Sequence, residues 1–453
     1  MIYQNNSFEN TENQFSKTIK ELQIGKLLRK SNIRKSCGVP AFEVFQFLLL
    51  LVFQGKNLFR FLNSKRKDQA VSKNTYYRFL DESSYNWKKF LLLLAAKVTS
   101  DFDSLTRPER VKTLILDDSV ITRNRSKKVE LLARVYDHVN HRFQKGFTLL
   151  TLGWSDGYSF IPVGFNMLSS ASKSNRYQEV SDKIDHRTNG YKSRKESMMK
   201  KTDAAVLLVE RALDAGIQAD YVLMDTWFTT EPMIQSLLTL GMDVIGMVKQ
   251  LKQKYIYHGK AYTLPQLQKY MQHENGDNIL GSIIVFTKKE NIPVKIVFVR
   301  NRNKKSECLY LLSTDCTLNE GEIVRIYGNR WSIEVFFKAS KSCFKLGTEF
   351  QSRSYDAIVS HTTIVFTRYT LLEWIRRHRN DQKTYGELFY MFCDDIQDMD
   401  LTNALQSLMA LFMEQLNTFT ANITNVIKCK LQDWMSTQAL FIQAMFANLS
   451  WES

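Results

Sequence analysis

Residues 327–341 read YGNRWSIEVFFKASK. At about 100° per residue, Tyr327, Arg330, Glu334, Lys338 and Lys341 fall within an arc of about 80°, and Ile326, Ile333, Phe337 and Phe344 take the adjoining arc. The spacing predicts one helix with a single carboxylate among four donors on a stripe and an apolar stripe turned to a core. Asn319 followed three residues later by Glu322 predicts its start as a capping box, and Glu320 adds negative charge at the positive end of the dipole. Gly328 costs about 1 kcal/mol relative to alanine in a helix, so it reads as a place where a phosphate chain approaches the backbone. An ordinary surface helix with Arg330/Glu334 and Glu334/Lys338 ion pairs has the same spacing. The rest of the chain decides between them.

The 453 residues are 44% hydrophobic and 24% charged, a globular composition long enough for two or three domains. The net charge of +16 points to a polyanionic partner, nucleic acid before a membrane surface. It is unevenly spread. Residues 1–110 hold 19 Lys and Arg against 10 Asp and Glu, residues 380–453 hold 3 against 9, and the middle keeps +13. The two basic segments are the expected DNA-facing parts. Six scattered cysteines without a Cys-x-x-Cys pair, and a start lacking the basic and apolar regions of a signal peptide, lead us to expect a reducing cytoplasm. The apolar runs around Phe47–Phe53 and Phe90–Ala96 are too short to span a bilayer, so no membrane partner is expected.

Along the chain, residues 1–110 read as helical, with basic turns at Lys26–Lys35 and Lys65–Lys67. Short β-rich runs follow: VKTLIL before Asp117, FTLLTLGW around Thr148–Trp154 and YSFIPVGF from Tyr158. A helix near Thr202–Ala215, strand YVLM before Asp225, a helix near Glu231–Leu240 and strand DVIGMV from Asp243 complete the order. Residues 250–313, with SIIVFT and KIVFVR, read as an inserted β-rich subdomain. Residues 314–350 return to the core with the Glu334 helix. Residues 351–453 read as a helical C-terminal region, suited to dimerisation, with an acidic turn near Asp394–Asp400.

Three acidic positions stand out: Asp117–Asp118 and Asp225 at strand ends, and Glu334 on the later helix. Carboxylates projecting from neighbouring strand ends into one crevice hold two Mg²⁺ ions about 3.5–4 Å apart, which suits in-line displacement at a phosphodiester. An Asp that ends a strand also serves as a plain turn residue. His138 and His141 have the look of a zinc pair but lack a second pair of ligands.

With Tyr327, Arg330, Glu334 and Lys341 at these offsets and Trp331 after the arginine, the chain resembles the DDE transposases of bacterial insertion sequences, in the branch with the Tyr-x-x-Arg-x-x-x-Glu-x-x-x-x-x-x-Lys signature. Asp118–Ser119 and Asp225-Thr-Trp227-Phe228 extend the resemblance over about residues 110–345. It implies an α/β fold: a ribonuclease-H-like core with a β-rich insertion, flanked by all-helical regions. It implies Asp118, Asp225 and Glu334 as catalytic metal ligands, with Asp117 as the alternative first position. The implied cofactor is two Mg²⁺ ions, with Mn²⁺ able to substitute.

By the same resemblance Tyr327, Arg330 and Lys341 contact phosphates of the transposon end, and Lys338 shares their face. The branch usually has Gly or Ala where Thr226 stands. Some relatives stack a flipped base on a Trp of the insertion. Residues 250–313 contain none, which leaves Tyr255, Tyr257, Tyr262, Tyr270 and Tyr310 as substitutes.

For DNA reading, AVSKNTYYRFL at 70–80 resembles the second helix of a helix-turn-helix, with Lys73, Thr75, Tyr76 and Arg78 toward DNA. A plain amphipathic helix with Val71, Tyr77 and Leu80 inward is the competing reading. The run at 186–201, with Arg194 and Lys195, reads as a basic loop on the DNA backbone. The implied partners are double-stranded DNA with terminal inverted repeats and target DNA, bound by a homodimer in a bacterial, nucleoid-associated setting. A nuclease of the same fold that cuts without joining, and a catalytically idle DNA-binding protein, are the alternatives.

Overall fold

The computed structural model describes residues 14–64, 67, 70–107, 109–138, 140–181, 184–250, 253–273, 278–301, 307–350, 352–379, 382–396 and 421–438. The expected basic turn at Lys65–Lys67 and the acidic turn near Asp394–Asp400 lie partly outside them. The larger of two compact units comprises Thr18–Val52 and Asn57–Gln382. In the smaller one, Phe53 packs against Phe389 and Phe392 at 5.4 and 6.0 Å, and a helix runs over Ala421–Ser436.

Six helices open the described chain: α1 (Gln14–Glu21), α2 (Ile24–Lys30), α3 (Ala41–Leu50), α4 (Leu58–Leu62), α5 (Lys73–Asp81) and α6 (Trp87–Asp103). α6 starts where the Asn86 side chain accepts from the Lys89 amide, and it buries Trp87, Phe90, Leu91, Leu94, Ala95, Val98 and Phe102 at helical spacing. Phe45 of α3 closes this cluster at 5.4 Å from Phe90.

One mixed sheet of twelve strands follows. β1 (Thr113–Thr122), β2 (Ala133–Asp137), β3 (Arg142–Ser155) and β4 (Phe160–Leu168) form an antiparallel sector. β2 and β4 occupy successive lengths of the β3 edge facing away from β1. After helices α7 (Asn189–Ser197) and α8 (Lys201–Asp214), β5 (Tyr221–Met224) pairs parallel to β1. Beyond α9 (Glu231–Thr239), β6 (Asp243–Val248) pairs parallel to β5. Thr113–Leu116 is buried on both faces, which is why TLIL is an unbroken apolar run rather than an alternating one.

The inserted strands continue this sheet. They are β7 (Lys254–Tyr257), β8 (Lys260–Thr263), β9 (Gln272–His273), β10 (Ile279–Thr287), β11 (Pro293–Arg300) and β12 (Cys308–Ser313), with the short helix α10 (Leu264–Leu267) among them. β12 pairs with β6, so the insertion is joined edge to edge with the central strands.

Two expectations are corrected. The single helix over 327–341 is two segments, α11 (Glu320–Gly328) and α12 (Trp331–Ser342). The Asn329 and Arg330 amides donate three residues back, to Ile326 and Tyr327, tightening the chain into a 3₁₀-like joint. The Asn319–Glu322 capping box is present. The basic loop at 186–201 is mostly α7, started by the Thr188 hydroxyl accepting from the Tyr191 amide.

α13 (Tyr355–His378) is buried on all sides from Tyr355 to Ile375, with the N-terminal helices on one side and β4 on another. No helix among the described residues is long and apolar enough to cross a membrane.

Candidate active site

Parallel register places the first two carboxylates. Leu116 pairs with Met224, and the next residues are Asp117 on β1 and Asp225 at the end of β5. Asp225 is fixed by its own turn, its Oδ1 accepting from the Trp227 and Phe228 amides at 2.8 and 3.1 Å. Asp117 Oδ1 accepts from the Asp118 amide at 2.7 Å. Alternation then sends neighbouring side chains of β1 to opposite faces.

Asp117 faces α12. Arg330 Nη1 donates to its Oδ2 at 2.9 Å, and Arg330 Nη2 donates to Glu334 Oε1. One guanidinium thus joins the strand carboxylate to the helix carboxylate. Two residues along, Ser119 Oγ accepts from Lys341 Nζ at 2.6 Å. The α12 stripe therefore lies along the same face of β1 as Asp117 and Ser119. Burial pushes the Asp117 carboxyl up to about 7; Arg330 opposes this, and the charges of Asp225 and Asp118 add to it. Burial likewise pushes the Tyr327 phenol up, with Asp225 and Asp117 contributing. Tyr327, Asp117 and Asp225 therefore share one electrostatic neighbourhood.

Asp118, the first-position residue favoured by resemblance, is on the other face. Its Oδ1 accepts from Lys201 Nζ at 2.7 Å, and that ammonium lies 3.6 Å from the Trp227 ring centroid. The sequence could not decide between Asp117 and Asp118 because a strand buried on both sides lacks polar alternation. The β1–β5 register separates them.

Among the described residues no three acidic, histidine or cysteine side chains stand close enough together to share a metal ion. Arg330 stands between Asp117 and Glu334 instead.

The remaining sequence-derived positions divide. Lys338 is exposed on α12, and Gly328 opens on free space with nothing within 4 Å of a Cβ built there. On α5, Lys73 and Arg78 are exposed, but Tyr76 is 2% exposed, its ring 4.7 Å from Phe47 and its hydroxyl accepting from the Val71 amide. Tyr76 belongs to the core, because the helix buries Tyr76, Phe79 and Leu80 as one stripe.

Arg194 is also corrected. It is 4% exposed and clamped by Glu130 at 2.6 Å and Asp356 at 2.8 Å, so it ties α7 to the start of α13. Gly190 is part of that joint, since a Cβ there would meet Asp356 Oδ1 at 2.5 Å. Lys195, its neighbour, is exposed. In the insertion, Tyr255 and Tyr310 are buried, whereas Tyr257, Tyr262 and Tyr270 form an accessible cluster with Tyr270 5.8 and 5.2 Å from the other two.

Lys201 is the residue that sequence reasoning passed over. It sat inside a basic run, and only the fold brings the first residue of α8 against Asp118 and Trp227. Trp331, the first residue of α12 and directly after Arg330, is 64% exposed.

A family model described as DDE superfamily endonuclease matches residues 47–305, more than half of the chain. The match spans Asp117, Asp118 and Asp225 and ends before Glu334. No curated protein matches the chain.

Proposed function

The chain belongs to the DDE superfamily of endonucleases, and on that premise we propose that it is an insertion-sequence transposase of the Tyr-Arg-Glu-Lys branch, acting on terminal inverted repeats as a homodimer in the bacterial cytoplasm. The carrying observation is the level placement of Asp117 and Asp225 on neighbouring strands, with Arg330 bonded to both Asp117 and Glu334. The strand order β2-β3-β1-β5-β6, antiparallel then parallel, supports a ribonuclease-H-like core.

Asp117, Asp225 and Glu334 would hold divalent cations. Their donors are all carboxylate oxygens, which suit Mg²⁺ or Mn²⁺, and the burial-raised carboxyl of Asp117 beside two further acids is a pocket that added positive charge would balance. When bound, the metal supplies Lewis acidity to the attacking and departing oxygens. Water attacks phosphorus at the element end and the bond to the 3′ oxygen breaks, leaving a 3′-OH. That hydroxyl then attacks phosphorus of a target phosphodiester, and the target's own bond from phosphorus to the 3′ oxygen breaks, so the element end is joined and a target 3′-OH is released.

The protein's own groups hold the strand. Arg330 presents a planar fork to a phosphate, Lys341 and Lys338 add point charges along α12, and the Tyr327 hydroxyl, kept protonated by burial, donates. Tyr257, Tyr262 and Tyr270 are the accessible rings for a displaced base at the end. Lys73 and Arg78 of α5 and Lys195 of α7 serve duplex binding.

The test is to incubate the purified protein with Mg²⁺ and DNA carrying the inverted repeats that flank its gene, and to map the products. Nicks at the repeat ends, followed by end-to-target joints, are expected. Cleavage without joints would leave a nuclease, and binding without cleavage would leave an idle DNA-binding protein.

A further inference from the structure

The β2–β3 hairpin carries a surface that the catalytic face does not use. β2 alternates: Ala133, Val135 and Asp137 are buried, and Arg134 and Tyr136 are exposed. Pairing with β3 sets Arg134 opposite Lys145 and Tyr136 opposite Phe143. Cation faces cation and ring faces ring on one outer surface. Like charges directly opposite destabilise a strand pair, so this arrangement serves something other than the hairpin.

The rings are unusually open. Phe143 is 56% exposed, Tyr177 45% and Tyr136 38%. They also form one connected set with the cations. The Arg134 guanidinium stands 3.9 Å from the Phe143 centroid, Tyr136 lies 5.1 Å from Phe143, and Lys145 lies 4.7 Å from the Tyr177 ring. Tyr177 is fixed beside the hairpin by its amide, which donates to the Leu132 carbonyl at 2.7 Å.

Charge selects the occupant. Arg125, Lys127 and Lys128 are exposed on the loop before β2, whereas the hairpin's carboxylate, Asp137, is buried and accepts from Asn140 and Gln144. A polyanion is therefore favoured. Flat rings layered with a guanidinium add nothing for a duplex, whose base faces are stacked away inside it. For an unpaired strand they supply both the stacking surface and the backbone charge.

Position agrees. Thr151 of β3 pairs with Asp117, and Phe143 lies eight residues earlier on the same strand, about 27 Å away at 3.4 Å per residue. Ser119, which accepts from Lys341, pairs with Leu149, between Thr151 and Phe143 on β3. We propose that the β2–β3 hairpin is a stacking platform for unpaired DNA, lying along β3 from the carboxylates. This rests on the reading that the chain handles DNA.

The experiment measures fluorescence anisotropy of a labelled thymidine oligonucleotide, and of a mixed-sequence duplex of equal length, at one fixed salt concentration. Tyr136→Ala with Phe143→Ala should weaken single-strand binding by about tenfold or more, in line with stacking losses per base, and shift duplex binding by less than about twofold. Arg134→Gln should lower the salt slope of single-strand binding by about 0.7.

All three side chains are exposed, so circular dichroism should match the wild type. Unchanged single-strand affinity, or an equal loss on both DNAs, overturns the platform while leaving the active-site reading intact. A change in oligomeric mass with unchanged oligonucleotide affinity would reassign the hairpin to a second copy of the chain and also overturn it. Wild-type protein that binds neither DNA form would instead refute the DNA-handling reading itself.

Discussion

Asp117 and Asp225 stand at the same level on two adjacent parallel strands, one residue beyond the Leu116–Met224 pair; β5 stops there, whereas β1, expected to end at Asp117, runs on to Thr122 because its pairing with β3 continues. Asp118, one residue along, is turned to Lys201 at 2.7 Å. The two acids of the first motif therefore have different partners, and the proposed function gives the metal to Asp117. Asp117→Asn should reduce strand cleavage by about a thousandfold or more, because a metal ligand supports several kcal/mol of transition-state stabilisation. Asp118→Asn should stay within about tenfold. Rates measured on one end-containing substrate decide it, and the reverse ranking would return the ligand role to Asp118.

Arg330 bridges Asp117 and Glu334, and in the proposed function it leaves them to grip a phosphate when DNA arrives. Arg330→Ala should keep the fold, lower the salt slope of end binding by about one unit and impair the later steps, end processing and joining, more than first-strand nicking. Measuring the three steps separately checks this. Unchanged yields at all of them would make the Arg330–Glu334 pair an ordinary helix ion pair worth a few tenths of a kcal/mol.

How much of this was legible in the sequence depends on the residue. The strands before Asp117 and Asp225, the helix start at Asn319 and the stripe from Arg330 to Lys341 follow from local pattern, and the structure has them. Arg194 and Tyr76 were misread because both signals are local and both outcomes are tertiary. A basic run looks solvated until Glu130 and Asp356, distant in sequence, enclose one arginine, and a tyrosine at helical spacing faces whichever side the neighbouring helices cover. The joint at Gly328–Arg330 was invisible because periodicity survives a single tightened turn. Lys201 needed the position of α8, which no spacing encodes.

Arg194 and Lys195 give opposite expectations from adjacent positions. Arg194→Ala leaves buried Asp356 and half-buried Glu130 without their cation and should destabilise the fold by about 3 kcal/mol. Lys195→Ala should leave stability within about 0.5 kcal/mol. Denaturant melts of both variants test this, and equal midpoints would contradict the clamp.

Acid should loosen the contact between α13 and the segment after α12. Burial pushes His361 down to about 4; Glu349 opposes this, while Arg368 and Arg123 add to it, and its Nε2 has no hydrogen-bond partner. The unfolded chain binds a proton near pH 6.5 that the folded chain refuses until about 4. Stability is therefore full above about 6.5 and falls as pH drops toward 4, by roughly 3 kcal/mol at most. His361→Gln should flatten the melting temperature across that window. A variant as pH-sensitive as the wild type would clear His361 of the effect.

The most direct test of the carboxylate site is Glu334→Gln, which keeps side-chain shape and the surrounding cations but removes one charge. In parallel assays with Mg²⁺ on the same end-containing DNA, the variant should bind with near wild-type affinity and yield no strand cleavage. Cleavage at the wild-type rate would contradict the assignment of Asp117, Asp225 and Glu334 as the catalytic set.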